Sequence, residues 1–86
     1  MKKIWVLVRE EVVDFVNYHT TPQAFSDSET AREMFDMYKK SVVKEYADEI
    51  EDGWIVEEGD NYFEVYDEEY SKNHYRLDLY EVEVIR

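Results

Sequence analysis

Apolar residues along this chain follow three successive patterns, and each predicts a different kind of element. Ile4–Val8 is a continuous run rich in β-branched side chains, the pattern of a strand central in its sheet or buried on both faces. The next run, Glu11–Tyr18, either continues that strand or opens a second one after a bend at Glu10–Glu11. Pro22, the sole proline, marks an edge position or a loop, because it has no N–H to give to a ladder. From Ala31 onward the period changes. Ala31, Met34, Phe35, Tyr38, Val42, Tyr46 and Ile50 recur in steps of three and four, which is one stripe of a helix. Ser26 with Glu29 fits a capping box, with Asp27 and Ser28 as rival caps, and Gly53 is a suitable stop. A helix of that span has about 25 residues and a length of roughly 37 Å. That is long for so small a domain, and a break is expected near Ser41–Lys44.

After Gly53 the period falls to two. Residues 54–58 and 62–68 read as strands joined at Gly59–Asp60–Asn61. In the second, Phe63 and Val65 take one face, and Tyr62, Glu64, Tyr66 and Glu68 take the other. Residues 74–85 form the last strand, and its alternation changes phase. Tyr75, Leu77 and Leu79 sit on one parity; Tyr80, Val82 and Val84 sit on the other. A β-bulge near Leu79–Tyr80 would bring both sets to the core. The resulting order is β-β-α-β-β-β. The expected class is α+β: a four- to five-stranded, mostly antiparallel sheet with one long helix packed on one face. Residues 1–86 are expected to form a single domain, a length that buries about two-thirds of its unfolded surface and needs a good core. Aromatic residues make up 16% of the chain, and Trp5, Phe15, Phe35, Trp54 and Phe63 are core candidates, with Ile55, Val56 and Val65 beside them.

Charge changes the picture in one place. The chain carries 22 acidic and 10 basic residues, a formal net charge of −12. Residues 45–69 hold twelve of the carboxylates and no Lys, Arg or His, so the remaining ten acids are balanced by the ten bases and the whole imbalance sits here. Glu45, Asp48, Glu49 and Asp52 fall three or four apart, and like charges so spaced each cost about 0.2–0.5 kcal/mol. They also crowd a helix C-terminus, where the backbone dipole favours cations. Glu57, Glu58, Asp60, Glu64, Asp67, Glu68 and Glu69 follow on the hairpin and beyond it. Tyr66 shares strand parity with Glu64 and Glu68, and a face of rings and carboxylates suits Arg and Lys. Local rules broken repeatedly in one stretch are expected at functional surfaces. These twelve residues, the eleven carboxylates named and Tyr66, are therefore the expected partner-binding set, and a basic protein surface is the expected partner.

The same composition excludes several chemistries. With no cysteine there is no disulfide scaffold, thiolate zinc site or thiol nucleophile. His19 and His74 lie in no metal-ligand spacing and are expected as exposed strand-end or loop residues. Asp48–Gly59 has the outline of a calcium loop, but Ile50 and Gly59 stand where an oxygen ligand and a bidentate Glu belong. The serines lack a nucleophile motif, and two glycines in turns cannot make a phosphate cradle. No catalytic residue, metal or cofactor is expected. The acidity speaks against direct nucleic-acid binding, which needs a basic footprint. The apolar run at Ile4–Val8 is too short for a signal core, and no apolar stretch is long enough to span a bilayer. A soluble, cytoplasmic protein with no membrane partner is expected.

Spacing adds one sharper idea. Carboxylates two apart on a strand recur at about 6.8 Å and helical neighbours at about 5–6 Å, a pitch comparable with that of phosphates along a nucleic-acid strand. With small size, no cysteine and an α+β pattern, "EYADEIEDGWIVEEGDNYFEVYDEE" resembles small inhibitors encoded by phages and mobile elements, including DNA-mimic and anti-CRISPR proteins. The remainder, "KIWVLVREE" and "AFSDSETARE", resembles uncharacterised small bacterial and prophage domains. The first resemblance implies a nucleic-acid mimic that occupies the basic groove of a host-defence protein. The alternative is a structural or assembly domain whose acidity serves only solubility, with an apolar sheet edge or an exposed helix face as its interface.

Overall fold

The computed structural model describes residues 2–69 and 72–84. The elements run β1 (Lys2–Val13), β2 (Val16–His19), β3 (Gln23–Phe25), α1 (Ser28–Glu45), α2 (Ala47–Glu51), β4 (Ile55–Glu58), β5 (Tyr62–Tyr66) and β6 (His74–Val84). The strands form one antiparallel sheet in the order β2-β1-β6-β5-β4, with β3 also on β1. The class is the α+β expected, with the long helix on one face of the sheet.

The additional strand comes from the first third of the chain. β1 does not bend at Glu10–Glu11. It runs straight to Val13 and reverses at Asp14–Phe15, where both residues have positive φ (50° and 68°), as a two-residue hairpin of the primed kind requires. Glu10 then pairs with His19, while Leu7 pairs with Gln23. Three steps along β1 match four along its partner, so β2 and β3 are one edge strand interrupted by a bulge at Thr20–Pro22. Pro22 fits there because an unpaired residue needs no ladder N–H.

α1 is capped by Asp27 and not by a Ser26–Glu29 box. The Asp27 carboxylate accepts the Thr30 N–H at 2.7 Å and the Thr30 hydroxyl at 2.9 Å, and these bonds hold it below the usual carboxylate value. The helix breaks at Tyr46, beyond the expected Ser41–Lys44. There the Tyr46 hydroxyl donates to Glu11 on β1 at 2.6 Å, and its ring stacks 5.7 Å from Trp54. This tether turns the chain back toward the sheet. Gly53, at φ 109°, ends α2 as expected.

Leu7, Phe63, Val65, Tyr75, Leu77 and Leu79 from the sheet meet Ala31, Phe35 and Val42 from α1 to form the core. Trp5, Phe25, Met34, Tyr38, Tyr46, Ile50 and Trp54 pack half-buried around it. Four expectations are corrected. Phe15 is 61% exposed at the hairpin tip. Ile55 and Val56 are exposed, because β4 is an edge strand. β6 has no bulge, since its register with β1 holds unbroken from Lys2↔Val84 to Val12↔His74; Tyr80, Val82 and Val84 therefore lie on the face away from the helix. His74 is 6% exposed and bonded through Nε2 to Glu10. No helix among the described residues is long and apolar enough to cross a membrane.

Candidate functional site

The fold divides the acidic stretch instead of presenting it as one face. Glu64 is in the middle of β5, between β6 and β4, and 7% exposed. Arg76 on β6 donates to it at 2.9 Å and grips Asp78 through two further bonds at 2.8 and 3.0 Å. Those bonds, Asp78's first, raise the guanidinium above its ordinary value against partial burial. Glu57, opposite Glu64 on β4, bonds the Tyr66 hydroxyl and raises it. Glu58 faces the helix and pairs with Lys39. Asp60 lies in the hairpin turn, where its carbonyl accepts from Arg32 at 2.5 Å. Asp48 is exposed on α2. Glu57 and Tyr66 thus bond each other beside the Glu64–Arg76 pair on the face away from the helix, Glu58 is paired on the helix side, and Asp60 is held through its backbone carbonyl.

The rest converge at the end of the molecule where α1 gives way to α2. Glu45 and Glu49, with Glu11 and Asp14 from β1 and its turn, line a hollow of about 490 Å³ together with Tyr46 and Trp54. On the other side of Trp54, Asp52, Asp67, Glu68, Glu69 and Lys72 line a second hollow of about 350 Å³. Trp54 is common to both. The segments are clamped together. The Asp14 N–H donates to Asn73 Oδ1 at 3.1 Å, and the Phe15 N–H donates to the Lys72 carbonyl at 3.0 Å. Asp67 accepts from the Glu69 N–H at 2.8 Å and from Asn73 Nδ2 at 2.9 Å, which ties the end of β5 to the start of β6. A third hollow, about 290 Å³, continues past Glu11 and Glu45 to Arg9, Tyr18, Tyr38 and Tyr75. In it the Arg9 guanidinium already lies 4.2 Å from the centre of the Tyr38 ring. Burial, with the Glu11 bond adding to it, pushes the Tyr46 hydroxyl well above its ordinary value; burial also raises Tyr75, partly offset by Arg9.

Two of these carboxylates, Glu11 and Asp14, lie outside the stretch that the sequence singles out. Nothing in the linear pattern joins residues 11–14 to residues 45–69; the link is the β1–β2 hairpin tied to the loop before β6. Trp54 was expected only as core, yet it is the half-buried ring between the two hollows. Chemically, the arrangement offers ion pairs and a ring face to guanidinium or ammonium groups. Among the described residues no group of three or more His, Asp or Glu is placed to hold a metal ion. No family model, curated protein or solved structure matches the chain.

Proposed function

We propose that this chain is a non-enzymatic interaction protein that holds a basic protein surface at its acid-lined end. In its sharper form, it covers the nucleic-acid site of a host-defence protein as a nucleic-acid mimic. The observation that carries the reading is the convergence of Glu11, Asp14, Glu45 and Glu49 on one side of Trp54, and of Asp52, Asp67, Glu68 and Glu69 on the other. Chain segments far apart in sequence deliver these groups, and backbone hydrogen bonds fix them. Acidity for solubility alone would not need a tryptophan at its centre. Phe15 gives a second support. It is an exposed aromatic held at φ 68° beside Asp14. Strained backbone and exposed rings gather at binding surfaces.

The test uses poly-arginine and a panel of basic nucleic-acid-binding proteins as probes, at low and high ionic strength. Glu45, Glu49, Glu68 and Glu69 are changed together to Lys. Binding should fall steeply with salt and vanish in the variant while its melting transition persists. Equal binding by both proteins would overturn the reading. Duplex DNA decides the sharper form. If it displaces the protein from a bound partner, mimicry is supported; if partner, DNA and protein form one complex, mimicry falls and the basic-surface reading stands.

A further inference from the structure

We infer that the C-terminal half of β6 is a docking edge for an extended segment of another protein in which basic and apolar residues alternate. β5 pairs with β6 only from His74 to Asp78. From Tyr80 to Val84, β6 has β1 on one side and, among the described residues, no strand on the other. The phase of that free edge is set by Leu79, whose N–H donates outward to the Asn61 carbonyl at 2.8 Å. Backbone groups repeat every second residue, so the N–H and C=O of Glu81 and Glu83 also point outward. An edge of this kind is a template for another strand.

The side chains specify the occupant. Glu81 and Glu83 project on the helix side, next to a hollow of about 460 Å³ lined by Trp5, Arg32, Asn61 and Leu79 as well as Glu81. Tyr80 and Val82 project on the opposite face, 51% and 40% exposed, in line with Ile4 and Val6 on β1. Antiparallel solvated faces normally carry polar residues, so this apolar row is out of place unless it is covered. An incoming strand is complementary if it places Lys or Arg opposite the two glutamates and apolar side chains opposite Tyr80 and Val82. A second copy fits poorly, because antiparallel pairings of β6 with itself centred on Glu81, Val82 or Glu83 each set glutamate against glutamate. Lys3, at 2.9 Å from Glu81, offsets only part of that repulsion. The edge lies at the opposite end of the sheet from the acid-lined hollows, so this surface does not depend on the function proposed above.

The protein is titrated with one synthetic peptide alternating lysine and valine and another alternating glutamate and valine, with backbone amides followed by NMR. The lysine peptide should shift and protect the Glu81 and Glu83 amides and bind several-fold more tightly than the glutamate peptide. Glu83→Pro removes an outward N–H without touching the β1 ladder, and it should weaken binding several-fold while the melting temperature stays within a few degrees. Glu81→Lys combined with Glu83→Lys should reverse the peptide preference. An unreversed preference overturns the inference, as does protection confined to the Glu45–Glu49 end. Protection of Glu81 and Glu83 that grows with protein concentration alone assigns the edge to a second copy and overturns it too.

Discussion

Glu64 and Glu45 are the same residue type in the same acidic stretch, yet the fold gives them opposite tasks. Glu64 is closed in by Arg76 between β5 and β6, whereas Glu45 borders an open hollow. Glu64→Ala should destabilise the protein by about 1–2 kcal/mol, a charged hydrogen bond discounted because the Arg76 side chain is 34% exposed. Glu64→Gln should leave partner affinity unchanged, and chemical denaturation with a binding isotherm on each variant separates the two effects. Tyr46 makes the complementary point about pH. Its hydroxyl and that of Tyr75 are both raised above the ordinary value of 10.0. A raised folded value means that their contribution is fully present below about pH 10 and is lost as the pH climbs above it. Stability should therefore fall on the alkaline side. Tyr46→Phe should cost about 1 kcal/mol at neutral pH through the lost Glu11 bond and flatten the alkaline decline. An alkaline limb unchanged in that variant would place the effect on other groups.

Individual elements were legible wherever the apolar period was unambiguous. The 3.6-residue stripe located α1, and Gly53 and Gly59–Asn61 marked the turns around β4. What the period could not show is which face the helix covers. Tyr80 and Val82 looked like core displaced by a bulge, and Ile55 and Val56 looked like core outright, because apolar identity carries no record of sheet order. Glu11 and Asp14 were missed as site residues for a related reason: only the long-range closure of the β1–β2 hairpin against Lys72 and Asn73 brings them to Trp54. That hairpin allows a direct test of whether its strain serves binding. Phe15 holds a left-handed conformation that glycine adopts without strain. Phe15→Gly should therefore raise the melting temperature by a few degrees while weakening affinity for a basic partner several-fold. Unchanged affinity would show the exposed ring to be incidental. At the N-terminus of α1, the depressed Asp27 carboxylate contributes above its ordinary value of 3.8 and loses that contribution as the pH falls through its lower folded value. Asp27→Ala should lower the neutral-pH melting temperature by a few degrees and reduce the steepness of acid unfolding.

At the scale of the whole molecule, two electrostatic effects oppose one another, and salt decides between them. Ion pairs such as Lys3–Glu81, Lys39–Glu58 and those of Arg76 with Glu64 and Asp78 weaken as salt rises. Repulsion among the carboxylates around Trp54 weakens as well, and that repulsion is the larger effect: surface pairs are worth little individually, whereas eight carboxylates and one lysine line the two hollows that share Trp54, in a chain of net charge −12. Moderate salt should therefore raise the melting temperature. Changing Glu45, Glu49, Glu68 and Glu69 together to Gln should raise it at low salt and remove most of the further gain from added salt. The same variant should lose affinity for a basic partner, because the groups that repel one another in the free protein are those the partner neutralises. A melting temperature that falls with salt in the parent protein would mean that the ion pairs dominate and that the acid-lined end is not under electrostatic strain. A parent that gains from salt alongside a variant that does not would locate the strain at the hollows on either side of Trp54.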